Sequence, residues 1–284
     1  MATQAADPRE TTSPVATGQT EAMQPTLLQR LAPLRVVLIT IVNLSIFFLL
    51  WELLARSGAV SALVLPKFSD VVKATYDAFA SGEMWPHVRH SAQNFVIGML
   101  ISTAIGVPLG LLLGASRTFD TILSPYMWTM ASLPRIALIP LLILILGFGN
   151  SMQLTIIVLS AVFPIAINCW AGVKTVDPSM LRAGSVFGAS KFTQYRKIVL
   201  PFTLPFVISG INQGIARGLV GMLVGELLGG GGEGLGRVLS LAADRFDIPL
   251  LYGVLILLAI MSVSAVQSMR WLERKIAPWR EQRS

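Results

Sequence analysis

The sequence predicts an all-α integral membrane protein with about six transmembrane helices. Three observations predict it. Of 284 residues, 54% are hydrophobic and only 13% are charged, about half the roughly 25% that a water-facing domain carries. Mean hydropathy is +0.68. The apolar residues also fall into runs near the roughly 20 residues needed to cross the hydrocarbon core, so no stretch remains for a separate soluble domain.

The elements follow in order. Residues 1–34 are rich in Ala, Thr, Pro and Gln and cannot bury enough apolar surface to order themselves. They read as a disordered cytoplasmic tail, not a signal peptide, because no small-residue cleavage pattern follows the next apolar run. The first span covers Val36–Trp51 and closes on Glu52 and Arg56. In the polar stretch 56–90, Val71, Val72, Tyr76 and Phe79 fall roughly one helical turn apart, which predicts a short helix lying on the membrane surface. These two pieces make a segment of residues 35–85. The membrane core, residues 86–274, begins with an uncharged span at Asn94–Ser116. There Gly106, Gly110 and Gly114 share one face and invite close approach of another helix.

A third span, Thr121–Leu146, is interrupted by Pro134, Arg135 and Pro140, and Gly147–Ser151 reads as a tight turn. The fourth span is Met152–Val173, with Pro164 inside it. A polar loop, 174–197, leads into a fifth span at Ile198–Val224, which holds Pro201, Pro205 and Arg217. A glycine-rich loop at 229–236 precedes the sixth span, Ile248–Met269, and residues 275–284 form a basic cytoplasmic tail. In lipid each proline leaves a backbone group for a neighbouring helix or water to satisfy. Kinked helices around a cavity suit a transporter, although ordinary spans carry proline too.

The net charge is +7 and the pI about 10.0, but no nucleic-acid partner is expected. The basic residues lie between and beyond the apolar runs, where the positive-inside rule accounts for them. With the N-terminus cytoplasmic, fourteen of the 22 Lys and Arg fall inside, six outside, and Arg135 and Arg217 within spans. This places both termini and the 174–197 loop in the cytoplasm. The single Cys169 excludes a disulfide framework and a thiol metal site. His87 and His90 read as a solvated pair at the interface rather than metal ligands, so no cofactor or metal is expected.

The 174–197 loop, KTVDPSMLRAGSVFGASKFTQYRK, is the most informative stretch. Asp177-Pro178 starts a helix, since proline in the first turn sacrifices no needed hydrogen bond. Met180, Leu181, Val186 and Phe187 follow, Gly188 breaks the helix, and a second basic helix leads to the membrane. Such a helix–glycine–helix elbow fits a docking surface for a soluble partner and equally an ordinary packed loop. The residues Ala183, Gly188, Ile198, Leu200 and Pro201 decide between them. Their spacing resembles the E-A-A, three residues, G, then I-x-L-P pattern in the cytoplasmic coupling loop of binding-protein-dependent ABC importer permeases. The resemblance runs from about Pro86 to Trp279 and includes SLPRIALIPLLILILGFG and GMLVGELLGGGGEGLG. Within that superfamily it is closest in character to the nitrate/sulfonate/taurine branch.

That resemblance implies a five-helix importer core and a coupling helix made of Met180, Leu181, Arg182, Ala183, Gly184, Val186, Phe187 and Gly188. It further implies two ABC ATPase subunits, an extracytoplasmic solute-binding protein, a second permease copy and a bacterial inner-membrane location in contact with lipid. The solute it implies is a small anion such as a sulfonate, nitrate or carboxylate. One departure matters: Arg182 stands where the family has Glu, and Gly184 where it has its second Ala, so either the ATPase carries a compensating acid or the helix docks by shape and apolar contact alone. The chain carries no G-x-x-x-x-G-K-[ST], so it is not expected to be an enzyme, and ATP hydrolysis falls to a partner. Gly229–Gly234 fits G-x-G-x-x-G but follows a span and opens no βαβ unit, so it reads as a flexible external loop that contacts the binding protein.

Ionisable residues within spans usually face a cavity or a partner. Arg217 and Glu226 lie nine residues apart, roughly 13 Å along the axis, too far to pair on one helix. Either Arg217 pairs elsewhere in the bundle with Glu226 at the outer interface, or Arg135, Arg217 and Glu226 line a translocation path that draws an anion. The alternative class is a secondary transporter driven by an ion gradient, which would show repeated halves and midplane acids. A membrane enzyme would need clustered His, Asp or Ser within mutual reach.

Overall fold

The computed structural model describes residues 32–229 and 232–276, and every regular element among them is helical. The expected N-terminal tail up to residue 31, Gly230–Gly231 and residues 277–284 lie outside the described residues. The chain divides into two units at Leu50–Trp51. The first holds most of α1, Ala32–Arg56. Its apolar side chains, among them Leu38, Ile41, Phe47 and Leu50, stand exposed, as a helix bathed in lipid requires.

The second unit begins at the end of α1. The Trp51 indole donates to the carbonyl of Pro66 at 2.9 Å, and Glu52 accepts from the Ser69 backbone N–H at 3.1 Å. These contacts seat α2, Phe68–Ala80. The expected short helix exists, but its apolar positions divide. Val71 is buried and Phe79 packs inward, while Val72 and Tyr76 are exposed.

The centre of the unit is α6, Asn150–Lys174, held between α3, Met84–Ala115, and α9, Leu200–Leu228. Within its most apolar stretch 56% of residues are buried, against 33% for α3, 33% for α9 and 11% for the last span. Small residues on both neighbours create this position. A Cβ on Gly106 would stand 2.9 Å from the carbonyl of Val162, and Gly110 and Gly114 meet Cys169 and Val173 just as closely. On the other side, a Cβ on Gly214 would stand 2.9 Å from the Ile165 side chain, and one on Gly221 2.6 Å from Ser160 Oγ. The expectation for Gly106, Gly110 and Gly114 therefore names the right face, and α9 carries a second such face. Ile157, Ala161, Ile165 and Cys169 of α6 fill the core between them.

Three boundaries differ from expectation. Helix α3 starts at Met84 rather than Asn94 and runs 32 residues, about 48 Å at 1.5 Å per residue, so it projects beyond the hydrocarbon. The third span is not one straight helix. Helix α4, Arg117–Ser132, and the stretch Arg135–Leu146 (a 3₁₀ turn followed by α5, Ile139–Leu146) meet at 91°. Leu133 is extended, with φ −63° and ψ 132°, as a residue preceding proline prefers, and Pro134 completes the break. Counting that bent pair as one span gives six among the described residues; without it there are five.

After α6 come α7, Pro178–Val186, and α8, Lys191–Gln194. A π-helical turn, Tyr195–Val199, joins α8 to α9 immediately before Pro201, whose missing N–H interrupts the regular ladder. Helix α10, Leu235–Asp244, buries Leu235 and Val238 against Met84 and Val254. The final helix, α11, runs Ile248–Ile276, seven residues past the expected end of the last span.

Because Gly221 faces backbone as well as side chain (3.0 Å to the carbonyl of Ile156), Gly221→Leu is expected to destabilise the α6–α9 contact by about 1–3 kcal/mol. Thermal unfolding of the purified chain in detergent checks it. Gly232→Ala, with nothing within 4 Å of its Cβ, should leave the midpoint unchanged.

Candidate functional site

A cavity of about 340 Å³ opens where the α4–α5 bend faces α6 and α9. Pro134, Arg135 and Ile136 border it from the bend, Ile156 and Ser160 from α6, and Arg217, Gly221 and Val224 from α9. The glycine face of α9 keeps the helix close to α6, and the bend swings Arg135 towards both. Two of the residues picked out as intramembrane charges, Arg135 and Arg217, thus meet at one cavity, and no acidic residue borders it.

The two arginines are held differently. Arg135 Nε donates to the carbonyl of Leu159 and Nη2 to the carbonyl of Ala131, both at 3.1 Å, and its guanidinium lies 6.0 Å from the Phe163 ring centroid. Ala131 sits in the last turn of α4, whose carbonyls lack intrahelical partners. Arg135 therefore staples the bend to α6 as well as charging the cavity. Arg217 makes no hydrogen bond or ion pair among the described residues, and it stands exposed.

Glu226 lies elsewhere. It is 1% exposed and does not border the cavity. Its Oε1 accepts from Ser91 Oγ at 2.7 Å and its Oε2 from the Gly236 backbone N–H at 2.8 Å. Ser91 Oγ in turn accepts from the Leu235 N–H at 2.8 Å, and the Gly234 N–H donates to His87 Nδ1 at 3.0 Å. The carboxylate thus sits at the N-terminus of α10, where the unpaired N–H groups and the helix dipole favour an anion. A path role for Glu226 does not match this placement, and neither does an exposed interfacial one. The histidine pair expected to be solvated is half-buried and hydrogen-bonded. His87 receives Gly234, and His90 Nε2 lies 2.9 Å from Gln153 Oε1, with Asn94 closing the group. The loop expected to be flexible is tied down at its far end. Ser91, Gln153 and Asn94 gave no sequence signal, because their partners lie on other helices.

The elbow takes the expected shape. Asp177 Oδ1 accepts from the Ser179 N–H at 2.7 Å and caps α7. That hydrogen bond, with a smaller pull from Arg182, holds the Asp177 carboxyl below the usual carboxylate range. The cap is therefore intact at neutral pH and is lost only as pH falls through the lowered value. Gly188 has φ +75°, a left-handed conformation that glycine adopts freely, and it turns the chain into α8. Gln194 Nε2 donates to Ser185 Oγ at 2.9 Å and to the carbonyl of Ala189 at 3.0 Å, fixing the angle.

A Cβ on Gly184 would stand 3.3 Å from Gln194 Cγ and Ile198 Cδ1, so the departure from Ala matches a close approach of the two helices. Leu181 packs with Val176 and Val199, while Met180, Arg182 and Ala183 are exposed. Val186 is 85% exposed, Phe187 89% and Phe192 73%, a concentration of uncovered apolar surface at the elbow. Beside the elbow, Lys174 pairs with Asp120 at 2.8 Å and lies over the Trp170 ring at 4.5 Å, linking the start of α4 to the end of α6.

Comparison with known proteins agrees with this arrangement. Over 236 residues, 83% of this chain and 85% of the relative, it is 28% identical to the "Putative aliphatic sulfonates transport permease protein SsuC" of Bacillus subtilis. Over 250 residues, 86% of this chain and 90% of the relative, it is 26% identical to the taurine transport system permease protein TauC of Escherichia coli. In fold it is similar to a chain of the MetNI methionine ABC transporter solved in inward-facing conformations. The TM-score is 0.60 at 20% identity, covering 69% of this chain and 98% of that one. Residues 106–280 match the family described as binding-protein-dependent transport system inner membrane component. The chain belongs to that family: it is the non-catalytic permease subunit of an ABC importer, served by a partner ATPase and not by an ion gradient.

Proposed function

We propose that two copies of this chain form the path for a small oxyanion with a sulfonate-like headgroup, and that the Arg135–Arg217 cavity receives it. The observation that carries the reading is the open guanidinium of Arg217 beside a second cation, in a cavity without an acid. An arginine within a span is stable only where water, a partner or a counter-charge meets it. Ile156, Val220 and Val224 supply apolar surface for a short carbon tail. The names of the sulfonate and taurine permeases favour the same solute class.

In the orientation read from charge, both termini and the 174–197 loop are cytoplasmic. The ATPase subunits dock on α7 and the elbow through Met180, Val186, Phe187 and Gly188. Arg182 faces an acidic rather than a basic residue of the ATPase. The binding protein delivers solute at the opposite end, near α10, and α1 and the outer faces of α3 and α11 contact lipid.

The test is uptake of radiolabelled ethanesulfonate into vesicles holding the chain with its ATPase, with its binding protein and ATP supplied. Uptake that needs both ATP and the ATPase is expected, and an uptake that ignores ethanesulfonate but accepts a cation would sink the solute assignment. Arg217→Gln should slow uptake at least about tenfold, the loss of one charge-assisted hydrogen bond, while Arg217→Lys retains part of it. Arg135→Lys is expected to impair assembly too, because one ammonium cannot span both the Leu159 and Ala131 carbonyls. Phe187→Asp and Gly188→Val should release the ATPase from the purified complex. Retention of the ATPase by both variants would refute docking at the elbow.

A further inference from the structure

The glycine face that fixes α9 against α6 leaves the adjoining flank of α9 uncovered. Ser209, Gln213 and Arg217 recur on that flank at four-residue steps, and all three are exposed. A helical step of four residues is about 6 Å, so the three make a continuous polar line from the cavity towards the coupling-loop end of the helix. Lipid is a poor neighbour for such a line, since neither a guanidinium nor a carboxamide finds a hydrogen-bond partner in hydrocarbon.

The middle of the line is built. Gln213 Nε2 donates to Asn168 Oδ1 of α6 at 3.3 Å, and Asn168 Nδ2 donates to the carbonyl of Pro164 at 2.8 Å. Each amide nitrogen carries two hydrogens, so each retains one N–H not used in these bonds. Asn168 lies eight residues beyond Ser160 of the cavity, and Gln213 lies eight residues before Gly221. Both helices therefore place the pair about 12 Å along the axis from those cavity residues, towards the same end.

We infer that Gln213, positioned by Asn168, is a second anion-binding station on the solute's route, between Arg217 and the coupling-loop end. The inference rests on the reading that the Arg135–Arg217 cavity lies on that route. Its chemistry follows from the order of the groups. A pair of guanidinium groups binds an oxyanion strongly enough to hold it. A path conducts only where binding is strong enough to admit the solute and weak enough to release it. Neutral amide donors meet the same sulfonate oxygens with weaker hydrogen bonds than charged ones do, so the solute passes from a strong site to a weak one. Gln213 touches the solute directly, whereas Asn168 acts through Gln213.

Cysteine labelling tests the placement without any transported solute. The chain has one native cysteine, Cys169, which is fully buried and gives a silent background. In the assembled permease–ATPase complex, Ser209→Cys and Gln213→Cys should react with the membrane-impermeant anion sulfonatoethyl methanethiosulfonate at least about tenfold faster than Leu100→Cys on the apolar face of α3, as water-lined and lipid-facing positions differ. Equal rates at Gln213→Cys and Leu100→Cys overturn the inference. So does an unreactive Gln213→Cys that instead forms a disulfide between two copies, which makes this flank a dry interface.

Transport tests the role. Gln213→Leu should lower the maximal rate of ATP-driven ethanesulfonate uptake about tenfold with the ATPase still bound, and Gln213→Asn should recover part of it. A wild-type rate for Gln213→Leu refutes the station. If the wild-type complex takes up no ethanesulfonate, the solute reading fails. The labelling contrast then still decides whether Gln213 lines a polar track.

Discussion

The close packing of α6 between two glycine faces is the constraint on which the rest depends. In lipid there is no hydrophobic drive to bring helices together, so association rests on van der Waals contact and on how near the backbones approach. Gly106, Gly110 and Gly114 of α3 and Gly214 and Gly221 of α9 remove the side chains that would hold α6 away. With α6 fixed on both sides, Ser160 reaches the cavity wall and the Leu159 carbonyl is available to Arg135. The same packing turns the flank of α9 that bears Arg217 outwards. A charged residue in that position is not an isolated penalty. It is the consequence of committing the neighbouring face of α9 to glycine.

Both ends of this three-helix core are anchored by polar contacts, and by different means. At one end Glu226 joins α9 to α3 through Ser91 and to α10 through the N–H of Gly236. All the groups involved are buried, where an unmade hydrogen bond costs the full desolvation of the group. At the other end the Lys174–Asp120 pair ties α6 to α4, and a few residues on the chain enters the elbow. The bend between α4 and α5 lies between these anchors. It is held by Arg135 through two carbonyls and, one residue past the turn, by Ile139, which is buried against Met152 and Ile156 of α6. The Lys174–Asp120 pair thus links the helix that enters the elbow to α4, and α4 ends at the bend that borders the cavity.

Much of this was legible in the sequence because lipid imposes simple rules. Runs of apolar residues located the spans, the four-residue spacing of Gly106, Gly110 and Gly114 identified a packing face, and Asp177-Pro178 with Gly188 outlined the elbow. The limits are equally physical. The residues of the bend, Pro134 and Pro140, were visible, but a kink and a turn of 91° have the same local composition. What separates them is whether the freed carbonyls find a partner such as Arg135. Glu226 was misread because its partner Ser91 lies 135 residues away. A carboxylate capping a helix from another element leaves no periodic trace. The bond of His87 left no trace for the same reason, as its acceptor nitrogen serves a backbone N–H of the loop after α9.

The contrast between Arg135 and Arg217 shows how like residues in like surroundings divide their work. Both border one cavity, so each raises the cost of the other's charge, and an anion relieves both. Two of the guanidinium nitrogens of Arg135 are already engaged by carbonyls, and these orient the group and limit what it offers a ligand. Arg217, bound by nothing among the described residues, has its planar fork free for two oxygens of an oxyanion. On the proposed reading, an anion in the cavity would complete the hydrogen bonding of Arg217 while only neutralising Arg135. It would bring together α9, which carries Arg217, and the bend, which Arg135 ties to α6. The affinity of the cavity and the geometry of the bend would then be one property. A movement that carried the bend away from α9 would weaken the hold on the anion as it opened the way out.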